Sequence, residues 1–246
     1  MQRRQFLASL ALLRRRDDSG PVEFNETFAP ERSALILCDM WDRHWCRGAN
    51  PRVEQIVRRA APLLETARAK GVLIIHAPSD TMEFYQDAPQ RRAIQSMPKQ
   101  PTPPPLDRAA PPLPIDDSDG GCDTPGDKSY KAWSRQHAGI AIGPNDLISD
   151  KGEEVFTALK LRRITHLFVM GVHTNMCILN RTFAIKQMTR WGVRCVLIRD
   201  LTDAMYNPQE RPQVSHDRGT QLVVEYIERY WCPTTTSQAL LNAMGR

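Results

Sequence analysis

The order of apolar and helix-patterned segments predicts an α/β fold, a three-layer α/β/α sandwich around a mostly parallel central sheet. Three observations carry this. Residues 33–40 (SALILCDM), 72–77 (VLIIHA), 164–170 and 193–198 are short, near-continuous apolar runs. They lack the polar alternation of a half-exposed strand, as strands covered on both faces do. Segments with helical spacing separate them, and the chain of 246 residues is long enough for one well-buried core.

Taken in order, residues 1–20 form a basic tail or decayed export signal, and residues 21–246 form one domain. The first strand ends at Asp39. Pro51 opens a helix reaching about residue 69, with Val53, Ile56, Val57, Ala60, Leu63 and Leu64 on one face. Pro62 falls inside that pattern, where proline kinks a helix. Gly71 ends it before the second strand, and residues 80–95 hold one further helix. Residues 98–114 carry eight prolines. The excursion at about 98–125 therefore excludes central strand and regular helix, leaving an ordered strap or a mobile lid. A short strand is expected at 140–142 and a short helix at 152–161. One continuous helix is expected from about residue 175 to 190, closed by Gly192. A last amphipathic helix covers about 220–230.

Composition excludes several classes. Much of the net charge of +5 comes from five arginines against two aspartates among residues 1–18. No basic patch with interleaved aromatics appears elsewhere, so no nucleic-acid partner is expected. No run approaches 18 apolar residues, so no membrane span is expected either. The six cysteines include no CxxC pair. Cys38 and Cys195 lie inside apolar runs and read as buried, and Cys46 and Cys122 are the candidates for a bridge. Arg3-Arg4-Gln5-Phe6-Leu7 resembles a twin-arginine export signal, but its apolar run is short and interrupted. The expected location is cytoplasmic, with export as the alternative.

Ligands of such sheets bind beyond the carboxyl ends of the strands. Asp39, His76, Cys177 and Asp200 all stand there. There is no GxGxxG after the first strand and no GxxxxGK[ST], so neither a dinucleotide nor a cofactor is expected. Cys177 follows a strand and a short polar turn and opens a helix, whose free N–H groups favour a thiolate. Asp39 is placed to orient or deprotonate that thiol. His173, four residues before the thiol in a tight turn, lines a pocket or packs there. Trp133 and Arg135 offer a planar ring and a cation to a ligand, and Tyr206 lies in a polar stretch beyond the last strand.

These features resemble the isochorismatase-like cysteine hydrolase superfamily, which includes nicotinamidases. The resemblance rests on residues 167–188, on Cys38-Asp39-Met40 and on the spacing after Cys177. It implies an Asp–Lys–Cys triad with Asp39 and Cys177 as two members. It also implies a non-proline cis peptide at Val172-His173, and oxyanion stabilisation by the N–H groups of residues 176 and 177. The third member is the point of departure. Lys151 is the first candidate, with Lys131 and Lys128 as alternatives. The family's metal-binding members point to Asp42, His44 and His76 as a weak alternative metal set. The activity implied is cleavage of a C–N, amide-like bond in a small molecule through a Cys177 thioester. The alternatives are an isochorismatase-type hydrolase without a thioester, and an inactive ligand-binding or assembly domain. Homo-oligomers are common in the family.

Overall fold

The computed structural model describes residues 22–245; the basic tail of residues 1–20, with its export reading, lies outside them. Six strands form one parallel sheet: β1 (Ser33–Cys38), β2 (Leu73–Ala77), β3 (Leu147–Ile148), β4 (His166–Val172), β5 (Cys195–Asp203) and β6 (Thr234–Thr235), in the order β3-β2-β1-β4-β5-β6. Among the described residues seven α-helices accompany them: α1 (Ala49–Ala69), α2 (Pro89–Gln95), α3 (Gly152–Leu161), α4 (Cys177–Asn180), α5 (Ile185–Arg190), α6 (His216–Tyr230) and α7 (Ser237–Met244).

Alternation along the strands divides the core between the two faces of the sheet. Ala34, Ile36 and Cys38 of β1, with Leu167 and Val169 of β4, pack in a cluster with residues of α3, α4, α5 and α6. Leu35, Leu37, Phe168, Met170 and Val172 join the apolar faces of α1 and α7 on the other side. The result is the expected three-layer sandwich. β1 and β4 approach closely at their carboxyl ends, where Gly171 pairs with Cys38 at φ +120°. A Cβ at Gly171 would collide with the Cys38 carbonyl, so both the space and the left-handed backbone require glycine.

Several local expectations need correction. Residues 140–142 form no strand, and the edge strand is β3. The helix expected in residues 80–95 is only its last turns, α2. Pro62 sits inside α1. The long helix after Cys177 is two short ones, α4 and α5, separated at Arg181–Ala184. At that break the Thr182 hydroxyl accepts the Gly152 N–H at 3.0 Å, and its carbonyl leaves no room for a Cβ at Gly152.

The proline-rich excursion is an ordered strap. Leu106 N–H donates to the Arg190 carbonyl at 2.8 Å, and the Tyr226 hydroxyl donates to the Pro111 carbonyl at 2.7 Å. Arg108 stacks over Trp231 and donates to the carbonyls of Tyr230 and Trp231. Cys46 and Cys122 are joined in a disulfide that ties the strap's end to the segment before α1.

Candidate active site at the carboxyl edge of the sheet

Asp39 leaves β1 with φ +49°, a conformation aspartate tolerates better than most residues and one found at functional turns. Its side chain is fully buried and surrounded by donors. Ser79 N–H donates to Oδ1 at 2.7 Å, Arg181 Nε donates to Oδ2 at 2.9 Å, and the Cys177 thiol lies close enough to interact with the same carboxylate. Burial pushes the Asp39 pKa up, and the Arg181 charge and these hydrogen bonds only partly offset it. Cys177 is a free thiol, half-buried at the start of α4. Burial and then the Asp39 charge push its pKa well up, against the pull of Arg181, so the resting sulfur is protonated at neutral pH.

The sequence reading brought Asp39 and Cys177 to one place, and there they meet. It did not find the cation. Lys151, Lys131 and Lys128 are all exposed, and the cation bonded to Asp39 is Arg181. Arg181 lies four residues after Cys177, at the C-cap of α4. At the break after α4 its guanidinium turns inward and also reaches Asp80 at 3.3 Å. A guanidinium supplies fixed charge and donors but cannot lose a proton in a protein.

The expected cis peptide is present at Val172-His173. The expected oxyanion donors are not both free: Met176 N–H donates to the His173 carbonyl at 3.0 Å. Ile178 N–H donates to the same carbonyl at 3.1 Å.

A cavity of about 270 Å³ lies beside this group, between the carboxyl ends of β1 and β4 and the start of α1. Asp39, Trp41, His44, Asn50, Val172 and His173 are among its lining residues, and Cys177 is not. His173 is buried, with its Nε2 lacking any partner among the described residues. Its ring meets that of His44 edge-on at 4.7 Å. Burial, then the charge of His44, lowers the His173 pKa to about 3. Burial likewise lowers that of His44 to about 4, so both rings are neutral at pH 7.

Other candidates fall elsewhere. Trp133 stacks on Trp41 at 4.0 Å, behind the cavity wall. Arg135 is exposed over Phe84, and its backbone N–H holds the Asp42 carboxylate. Tyr206 is fully buried, its hydroxyl donating to the Glu210 carbonyl, so it packs in the core rather than lining the cavity. Asp42, His44 and His76 do not assemble as a ligand set. Asp42 accepts from Ser134, His44 Nδ1 accepts from the Cys46 N–H, and His76 is spent on Gln136 and Asp146. Asp200 caps α7 through Ser237.

Comparison with known proteins places this geometry. No protein-family model and no curated protein matches the chain. Solved structures do. A cysteine hydrolase from Pseudomonas syringae pv. phaseolicola superposes with a TM-score of 0.59 at 18% identity, over 93% of this chain and 99% of that one. An isochorismatase family protein from Burkholderia thailandensis gives 0.53 at 15%, over 89% and 98%. A ribonuclease from Caenorhabditis elegans gives 0.51 at 14%, over 89% and 84%. The chain therefore has the fold of the isochorismatase-like and cysteine hydrolase superfamily. At such identities the likeness extends to the fold alone, and different chemistries share it.

Proposed function

We propose that the protein is a small-molecule hydrolase of the isochorismatase-like type in which Asp39 handles the protons and no thioester forms. The observation that carries this reading is the cavity, which abuts Asp39 and His173 but not the Cys177 sulfur. Asp39 would take a proton from water as the water oxygen bonds to the substrate's electrophilic carbon. The same proton would then pass to the departing heteroatom. A carboxyl group raised by burial suits both halves of that exchange. Arg181 stabilises the carboxylate between them, and the Ser79 N–H holds it in place by donating a hydrogen bond. Asp39 is covered in the resting protein, so the cavity wall must part around a bound substrate. His173 Nε2 is the group left to bind that substrate.

The thioester route is the second reading, favoured by a free, partly buried thiol beside a buried base. Against it stand the protonated resting sulfur, the spent Met176 N–H and a cation that cannot relay a proton. The test is a panel of small amides and vinyl ethers, with intact-mass measurement after rapid quenching. Turnover with no mass gain on the protein supports the leading reading. An acyl adduct lost on Cys177→Ser replaces it with the thioester, and an inert protein across the panel removes both.

A further inference from the structure

A second chemical cluster lies outside this site, where the strap meets the segment leading into α1. The sulfurs of Cys46 and Cys122 and a carboxylate oxygen of Asp123 all lie within 4.8 Å of one another. In the oxidised protein the two sulfurs are bonded to each other. Other contacts join the same two segments beside that bond. Gly48 N–H donates to Thr124 Oγ1 at 3.0 Å, and Arg47 N–H donates to Asp127 Oδ2 at 2.7 Å. Arg52 Nη1 holds Asp123 Oδ2 at 2.6 Å and is itself held by Asp203 at 2.9 Å, so Oδ1 is left facing Cys46 Sγ at 3.5 Å. Gly48 has ordinary backbone angles but no room for a side chain, because a Cβ would strike the Asp123 carboxylate. The surroundings are Met205, Met176 and Trp45, which keep the sulfurs partly out of water.

We propose that reduction of the Cys46–Cys122 disulfide creates a binding site for one zinc-class divalent cation, held by the two thiolates and Asp123 Oδ1. Two sulfurs and a carboxylate oxygen match the ligand preferences of zinc, with a fourth position left for water. Arg52 acts as the outer partner that orients a ligating carboxylate. The chemistry balances in two steps. A dithiol reductant gives two electrons and two protons to the disulfide and becomes a disulfide itself. The cation then displaces the two thiol protons to solvent. The strap would thus be fastened covalently in an oxidising setting and by a metal in a reducing one.

Cobalt(II) is the probe, because its thiolate complexes absorb in the near ultraviolet. The full chain is reduced with a trialkylphosphine, which water converts to the phosphine oxide while its two protons pass to the sulfurs. Excess reagent is removed before cobalt is titrated without oxygen. The expected result is a one-to-one charge-transfer band that zinc abolishes, absent from unreduced protein. Asp123→Asn, which leaves every cysteine in place, should weaken binding at least tenfold, and Cys122→Ser should remove the band. Cys232→Ser should leave it unchanged. No band after reduction, a band in unreduced protein, full affinity in Asp123→Asn or loss of folded far-ultraviolet dichroism on reduction would each overturn the proposal.

Discussion

Asp39 and Asp203 stand at the carboxyl ends of neighbouring parts of one sheet, both buried and both bonded to an arginine. Their acidities nonetheless diverge. Around Asp203 burial is outweighed by the His216 hydrogen bond at 2.9 Å and the charges of Arg52 and His216, which hold its pKa down. Around Asp39 burial wins, because one arginine and the Ser79 N–H do not replace the lost water. A carboxylate with two cationic partners is a fixed strut. One with a single arginine and a thiol can exchange a proton. The difference lies in the number of cationic partners, two against one, together with the deeper burial of Asp39.

The strongest way to sharpen that contrast is to remove each charge in turn. Asp39→Asn should lower turnover of any accepted substrate about 10²–10⁴-fold, the usual worth of a general acid–base group. Its melting temperature should change little, since a neutral amide suits a buried site. Asp203→Asn should do the reverse. It takes one partner from Arg52, which keeps Asp123, and one from His216, which keeps the Tyr206 carbonyl, and should cost about 1–3 kcal/mol in denaturant unfolding, with residual activity in the folded fraction. Equal activity losses in the two variants would break the comparison.

Arg181→Met tests the smaller half of the argument. Arg181 is one-third exposed, so the stability loss should be only about 1–2 kcal/mol after solvent screening. The acid limb of the pH–rate profile should move to higher pH, because Asp39 loses its cation. An unmoved limb would mean that Arg181 does not act on Asp39.

The imidazoles supply a pH signature of stability. His173 and His44 protonate in the folded protein only near pH 3 and 4, whereas unfolded histidine does so near 6.5. The unfolded chain thus binds more protons as pH falls below about 6.5, and stability should decline from there toward pH 4. Asp146 adds to the loss at lower pH. Burial opposes its ionisation, but hydrogen bonds from His76 and Arg68 outweigh that and hold it at about 2. Its contribution is present above about pH 4 and lost toward 2. His173→Gln should flatten the decline between pH 6.5 and 4 in urea titrations, and an unchanged slope would show that His173 does not contribute.

Much of the fold was legible because buried parallel strands are written as apolar runs. The ends of β1 and β4 followed from the same runs and correctly placed Asp39 beside Cys177. The third group was not legible, for a physical reason. Ile178, Leu179, Phe183, Ala184, Ile185 and Met188 keep a near-helical apolar rhythm, so the sequence hides the break between α4 and α5. Arg181 then resembles an arginine on a helix surface. In the folded chain Arg181 instead turns to the buried Asp39, and Thr182 bonds to Gly152 at that break. Lys151 was favoured by analogy with a triad, yet it precedes the first turn of α3 as an exposed residue. Tyr206 misled similarly, because polar neighbours concealed a core position. The Cys46–Cys122 pairing was accessible because both cysteines lie in polar, exposed-looking stretches, whereas Cys38 and Cys195 belong to strand runs.

The central claim is that proton transfer at Asp39, rather than attack by sulfur, drives the reaction. Steady-state kinetics of Cys177→Ala on a substrate from the panel tests it most directly. The account predicts turnover within about tenfold of the unaltered protein, since the sulfur takes no part in the bonds made and broken. Turnover reduced to the level of Asp39→Asn, with the fold intact, would contradict it.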